Sequence, residues 1–226
     1  MWPFSKKPAS EEPARASGPP PAFAMSCALD LGKGPLPLFP LLMAEDWKRA
    51  PTQVARPIIV GPRLPGIPLV AMVHLIPEPG GGNPNRAFIR TERVESIGKT
   101  VGDFEKEALH NLALRPASWK VESPIPNVKI ASVTDDYLAA ERILDPAFLA
   151  KGQALLGSNH LLVGVPGRHR LYATALDEVM KDKTALLAFK LWNESEFATS
   201  GDAKTTPHLF MVLGGKINSI AEIAPA

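Results

Sequence analysis

Cysteine is nearly absent from this chain of 226 residues: Cys27 is its single one, which excludes an intramolecular disulfide and any paired-cysteine metal site. Aromatic residues are sparse, at 7%. They do not interleave with the local basic clusters, Lys48, Arg49, Arg56 and Arg63 in one place and Arg168, His169 and Arg170 in another. A stacking platform for single strands is therefore missing. An excess of one charge is missing too. The balance of 25 basic against 23 acidic side chains leaves +2, too little for the long-range positive field that generic nucleic-acid or anionic-membrane binding needs. No nucleic-acid partner is expected.

Long apolar runs are also lacking, and none reaches the ~18–20 residues of a membrane helix. The first seven residues resemble the positive start of a signal peptide. Pro19, Pro20 and Pro21 stand where the apolar helix would have to follow, so secretion is not expected and a reducing cytoplasm is. His74, His110, His160, His169 and His208 are scattered without ligand spacing, so no zinc site is expected. His74, inside an apolar run, reads as a hydrogen-bonded or edge-facing strand residue. No glycine-flanked serine motif is present, and Gly80, Gly81 and Gly82 lack the Lys and Ser/Thr of a phosphate loop. No cofactor follows from these residues.

Proline, by contrast, is abundant. Of 24 prolines, 16 precede residue 80, so the chain changes character along its length. Residues 1–25 carry few large apolar side chains and read as a disordered tail. Residues 26–54 read as an extended arm, because proline alternates with Leu36, Leu38, Phe39, Leu41 and Leu42 in a pattern no long helix tolerates. Residues 55–226 read as a single folded domain.

Within that domain, residues 58–60 and 69–76 are predicted strands, rich in β-branched residues and bounded by Pro and Gly, and residues 87–90 are the predicted returning strand after the glycine loop. Thr100 with Asp103 forms a capping pair for a helix that Pro116 stops. A second helix is predicted over residues 134–144. A third has Asp145 as cap, Pro146 at its first position and Gly157 at its end. Residues 161–165 and 171–175 flank a turn in which Pro166 presets the first central position and Gly167 supplies positive φ. A short helix over 177–183, a strand over 186–192 and a hairpin around Gly214 and Gly215 complete the pattern. The fold class is α+β: a mostly antiparallel sheet with about three helices packed on one face.

The string Ala108, Leu109, His110, Asn111, Leu112, followed downstream by residues 162–171 with Pro166, Gly167, Arg168, His169 and Arg170, resembles the bacterial YtpQ-like family of unknown function. The resemblance spans roughly residues 55–222. It implies a cytoplasmic bacterial α+β domain and carries no catalytic residues over. The proline-rich start departs from it.

Two surfaces stand out as candidate binding sites. One is the arm, with Leu38, Phe39, Leu41 and Trp47, an apolar docking surface if exposed and core if packed in cis. The other is Arg168, His169 and Arg170, three side chains projecting from a hairpin too tight to bury them and suited to a phosphate, a carboxylate or an acidic loop. The function expected is a non-enzymatic interaction or adaptor domain whose partner is another protein. A hydrolase or transferase assembled from distant residues such as His110, Asp135 and His169 is one alternative, and a structural subunit of a larger assembly is another.

Overall fold

The computed structural model describes residues 36–47, 53–59, 65–78, 83–134 and 136–223. The predicted tail at 1–25, the glycines at 80–82 and Asp135 lie outside the described residues. Alternating apolar positions build two antiparallel sheets. The first comprises β1 (Leu38–Met43), β2 (Ala55–Pro57), β3 (Leu69–Ile76) and β4 (Asn85–Phe88). β3 is its centre: it pairs with β1 along one side, Leu38 opposite His74 through Met43 opposite Leu69, and with β2 and β4 along the other. Pro40 is tolerated within β1 because β1 is an edge strand, where a missing N–H costs no ladder bond on the open side.

The second sheet contains β5 (Lys120–Ile125), β6 (Val128–Val133), β7 (His160–Gly164), β8 (Leu171–Ala175), β9 (Leu209–Leu213) and β10 (Lys216–Ile220), in the order β10-β9-β7-β8-β6-β5. The β9–β10 turn needs positive φ at both central residues, which Gly214 (55°) and Gly215 (74°) supply.

Among the described residues five helices accompany the sheets: α1 (Thr91–Ser96), α2 (Val101–Leu114), α3 (Pro146–Leu156), α4 (Leu176–Val179) and α5 (Lys183–Thr199). The predicted caps of α2 and α3 are present. Thr100 and Asp103 satisfy each other's backbone N–H, Asp145 accepts from Ala147 and Phe148, and Gly157 closes α3 in the left-handed region. The α+β class holds, but helices cover both faces of the second sheet. Leu161, Val163, Leu171, Ala173 and Phe210 face α3 and the first sheet, whereas Leu162, Tyr172 and Leu209, on the alternate positions, face Val179 of α4 and Phe189 of α5.

Three elements differ from expectation. Residues 186–192 are the middle of α5, not a strand: Ala185, Phe189 and Asn193 recur at helical spacing on its buried face, and Asp182 caps it by accepting from the Thr184 amide at 2.8 Å. The helix expected over 134–144 is a single 3-10 segment, Ala140–Leu144. Of the strand expected at 58–60, Ile58 and Ile59 are bent backbone following β2, and Val60 lies outside the described residues.

Candidate functional site

Leu38, Phe39 and Leu41 cannot form an exposed docking surface. They are 0%, 2% and 0% exposed, because β1 is zipped onto β3 and both of its faces are covered. Leu38 and Leu42 point into the core between the sheets, while Phe39 and Leu41 pack with Val73, Leu75, Leu112 and Leu138. This segment is core. Trp47, beyond the end of β1, is half-buried, with its ring 4.6 Å from that of Phe88.

The turn between β7 and β8 also departs from expectation. Its closing bond runs from the Arg170 N–H to the Gly167 carbonyl at 3.0 Å, so Arg168 and His169 are the central residues. Gly167 does not adopt positive φ. It is required for close approach: a Cβ there would lie 2.5 Å from Ser200 Oγ. Backbone bonds clamp the turn between two distant segments. Arg168 N–H donates to Ala203 at 2.9 Å, Thr205 N–H to Pro166 at 3.1 Å, and Ala140 N–H to the Arg168 carbonyl at 3.1 Å.

Clamped in this way, the turn buries what a free hairpin tip would expose. Arg168 is 8% exposed. Arg170 leaves the turn in another direction, to an ion pair with Glu196, whose Oε2 also accepts from the Tyr172 hydroxyl at 3.1 Å. Its guanidinium belongs to the β8–α5 packing.

Arg168 and His169 line a cavity of about 600 Å³ together with Trp47, Arg86, Phe88 and Tyr137. That volume is within the range of small-ligand sites. The His169 ring lies 5.1 Å from the Tyr137 ring. The Arg168 guanidinium has Met43 Sδ 4.0 Å from Nη2, and among the described residues its Nε has no hydrogen-bond partner. Among the described residues no carboxylate forms an ion pair with it.

The electrostatics follow from this burial. Desolvation, then the charge of Arg86, lowers the pKa of Arg168. Burial, then Arg168 and Arg86, lowers that of His169, which leaves the imidazole neutral at pH 7. Glu141, the carboxyl whose charge would act on Arg168, is fully buried on the 3-10 segment and pushed up to about 8 by desolvation. It therefore carries its proton at neutral pH and leaves Arg168 uncompensated. Glu78 and Asp202 also line the cavity, but neither figures among the charges acting most strongly on Arg168 or His169.

A buried guanidinium that forms an ion pair with no described carboxylate, a second guanidinium lining the same cavity, neutral donors and an aromatic wall are equipped to hold an anion. Among the described lining residues there is no serine, threonine, cysteine or lysine to act as a nucleophile. His110 is exposed on α2 and does not join His169 in the cavity. His74, as expected of a strand histidine, is buried with Nδ1 3.0 Å from the Leu36 carbonyl. Among the described residues no group of three or more His, Cys, Asp or Glu side chains could hold a metal ion, and no helix is long and apolar enough to cross a membrane.

Sequence reasoning missed Arg86, Phe88, Tyr137 and Glu141. Arg86 and Phe88 lie on a strand whose other residues carry no chemical signal, and Glu141 was hidden in an apparently ordinary helix. Comparison of the chain with family models, with curated proteins and with solved structures found no match.

Proposed function

We propose that this chain is a non-enzymatic interaction domain that docks another protein by gripping an anionic group of that partner in the cavity at the β7–β8 turn. The observation that supports this reading is the convergence of Trp47 with Arg168 and His169, which lie far from it in sequence, on one cavity with an uncompensated guanidinium at its base. The reading includes a bacterial cytoplasmic setting, and the YtpQ-like resemblance is part of it. The arm enters differently from what its composition suggests: its buried half builds the first sheet, and its end places Trp47 at the rim.

The test compares proteins retained from native extract by the full chain and by three variants: Arg168→Lys, Trp47→Ala and, as a surface control, Lys181→Ala. Loss of the same defined protein from the first two variants and its retention by the control is the expected result. Identical retention by all four chains contradicts the proposal. Circular dichroism of each variant separates lost binding from lost fold.

A further inference from the structure

Resting on the reading above, we propose that the anion the cavity accepts is a phosphate monoester attached to a planar ring, with the phosphoryl oxygens between Arg168 and Arg86 and the ring against Trp47 and Phe88.

Charge selects the phosphoryl group. Two guanidiniums, Arg168 and Arg86, line the one cavity, and the charge of Arg86 acts on Arg168 while both act on His169. Arg168 is removed from water, and its Nε N–H is unsatisfied. A buried donor without a partner is costly, more so when it is charged. Glu78 and Asp202 line the cavity too, but at exposed positions and not among the charges acting most strongly on Arg168 or His169, so both guanidiniums remain for a ligand. A single carboxylate would compensate one of them. A phosphate monoester, which carries close to two negative charges at neutral pH and three acceptor oxygens, compensates both.

The neutral groups fit the same ligand. The Tyr137 hydroxyl and the uncharged His169 imidazole add donors that do not require a third negative charge, and Asn83 and Asn85 add amides at the rim. No described carboxylate forms an ion pair with the Arg168 guanidinium, and Glu141, whose charge would act on it, is protonated at pH 7.

Size and apolarity select the remainder. A cavity of about 600 Å³ exceeds what a bare phosphate fills. Beside the cationic end stands the Trp47–Phe88 pair, with ring centroids 4.6 Å apart and both side chains partly exposed. A flat ring on the ligand extends this aromatic contact.

The chemistry is shared by two sources: a phosphotyrosine side chain on a partner protein and a small nucleoside monophosphate. Isothermal titration of the full chain at pH 7 with O-phosphotyrosine, adenosine monophosphate, inorganic phosphate, acetate and succinate separates them. Saturable binding of one or both ring-bearing monoesters is expected. It should be roughly tenfold or more tighter than that of acetate or succinate, and weakened by a similar factor in Arg168→Lys, which keeps charge but loses the fork. Arg86→Ala, at an exposed position that leaves the core untouched, is expected to weaken it as well.

The tighter of the two monoesters names the source. No saturable binding of either, equal binding of succinate, or undiminished affinity in both variants overturns the proposal. Partner retention that depends on Arg168 without monoester binding sinks this inference and leaves the docking reading standing. Monoester binding without any retained protein does the reverse.

Discussion

The backbone N–H of Leu42 donates to Glu141 Oε1 at 2.8 Å, joining the edge strand β1 to the 3-10 segment 99 residues later in the chain. The same segment donates from the Ala140 N–H to the Arg168 carbonyl at 3.1 Å. The 3-10 segment therefore ties the first described strand to the turn that carries the cavity's cation, through Glu141 on one side, whose carboxyl is completely buried, and Ala140 on the other.

That burial makes stability depend on pH. The folded carboxyl titrates near about 8, whereas in the unfolded chain it releases its proton near an ordinary 4.5. The stabilisation from this group is complete below the unfolded value and is lost as pH rises through the folded one. Glu141→Gln keeps the shape and the Oε1 acceptor but cannot ionise. Urea unfolding at pH 5 and pH 9 should show the native chain losing on the order of a few kcal/mol more between the two pH values than the variant does. Equal losses would mean that Glu141 is not buried in its neutral form.

The same proton governs the cavity. Above about pH 8 Glu141 ionises beside Arg168 and competes with a bound anion. Below its lowered pKa His169 adds a positive charge. Affinity for a phosphate monoester should therefore fall through the alkaline range, and Glu141→Gln should abolish that fall, whereas in mild acid the charge His169 gains is offset by protonation of the monoester, whose second pKa is about 6. Titrations of O-phosphotyrosine across this range in both chains check it.

Phe39 separates the arm as core from the arm as docking surface. It is 2% exposed against Val73, Leu75 and Leu112. Phe39→Ala should cost about 3–5 kcal/mol in chemical unfolding. A loss below about 0.5 kcal/mol, usual for surface sites, would place the side chain in solvent.

Arg142 holds the C-terminal end of α2. Its guanidinium donates to the Leu112 carbonyl at 2.7 Å, to the Arg115 carbonyl at 2.8 Å and to Asp136 Oδ2 at 3.2 Å, and it is 1% exposed. Arg142→Ala takes the charged donor from the Leu112 and Arg115 carbonyls and removes one of the two arginines that hold the buried Asp136, leaving it Arg115, so a loss of about 3–5 kcal/mol is expected. The double change with Asp136→Ala should cost less than the sum of the two single changes, as measured by a double-mutant cycle.

What could be seen in the sequence was local. The caps Thr100, Asp103 and Asp145, the proline at 146 and the glycine at 157 mark α2 and α3 because a cap needs a few neighbouring residues and nothing else. The segment at 186–192 misled because five of its seven residues are large and apolar, a run that does not distinguish a buried strand from a helix. The fate of Phe39 depended on β3, some thirty residues on. That of Arg168 depended on Ala140 and Ala203, which clamp the turn from opposite directions in the chain. The basic turn was visible as a candidate, but which of its three cations faces the cavity was decided by Glu196 on α5, which takes Arg170 away. Arg86 and Tyr137 complete the site through tertiary contact alone.

The most direct test of an anion-binding cavity built on Arg168 is the indole N–H resonance of Trp47 during titration of the full chain with O-phosphotyrosine at pH 7. A saturable shift of that resonance, absent from Arg168→Lys and from the Trp119 and Trp192 indoles, is the predicted result. An unmoved Trp47 signal, or one that moves equally in Arg168→Lys, would contradict it.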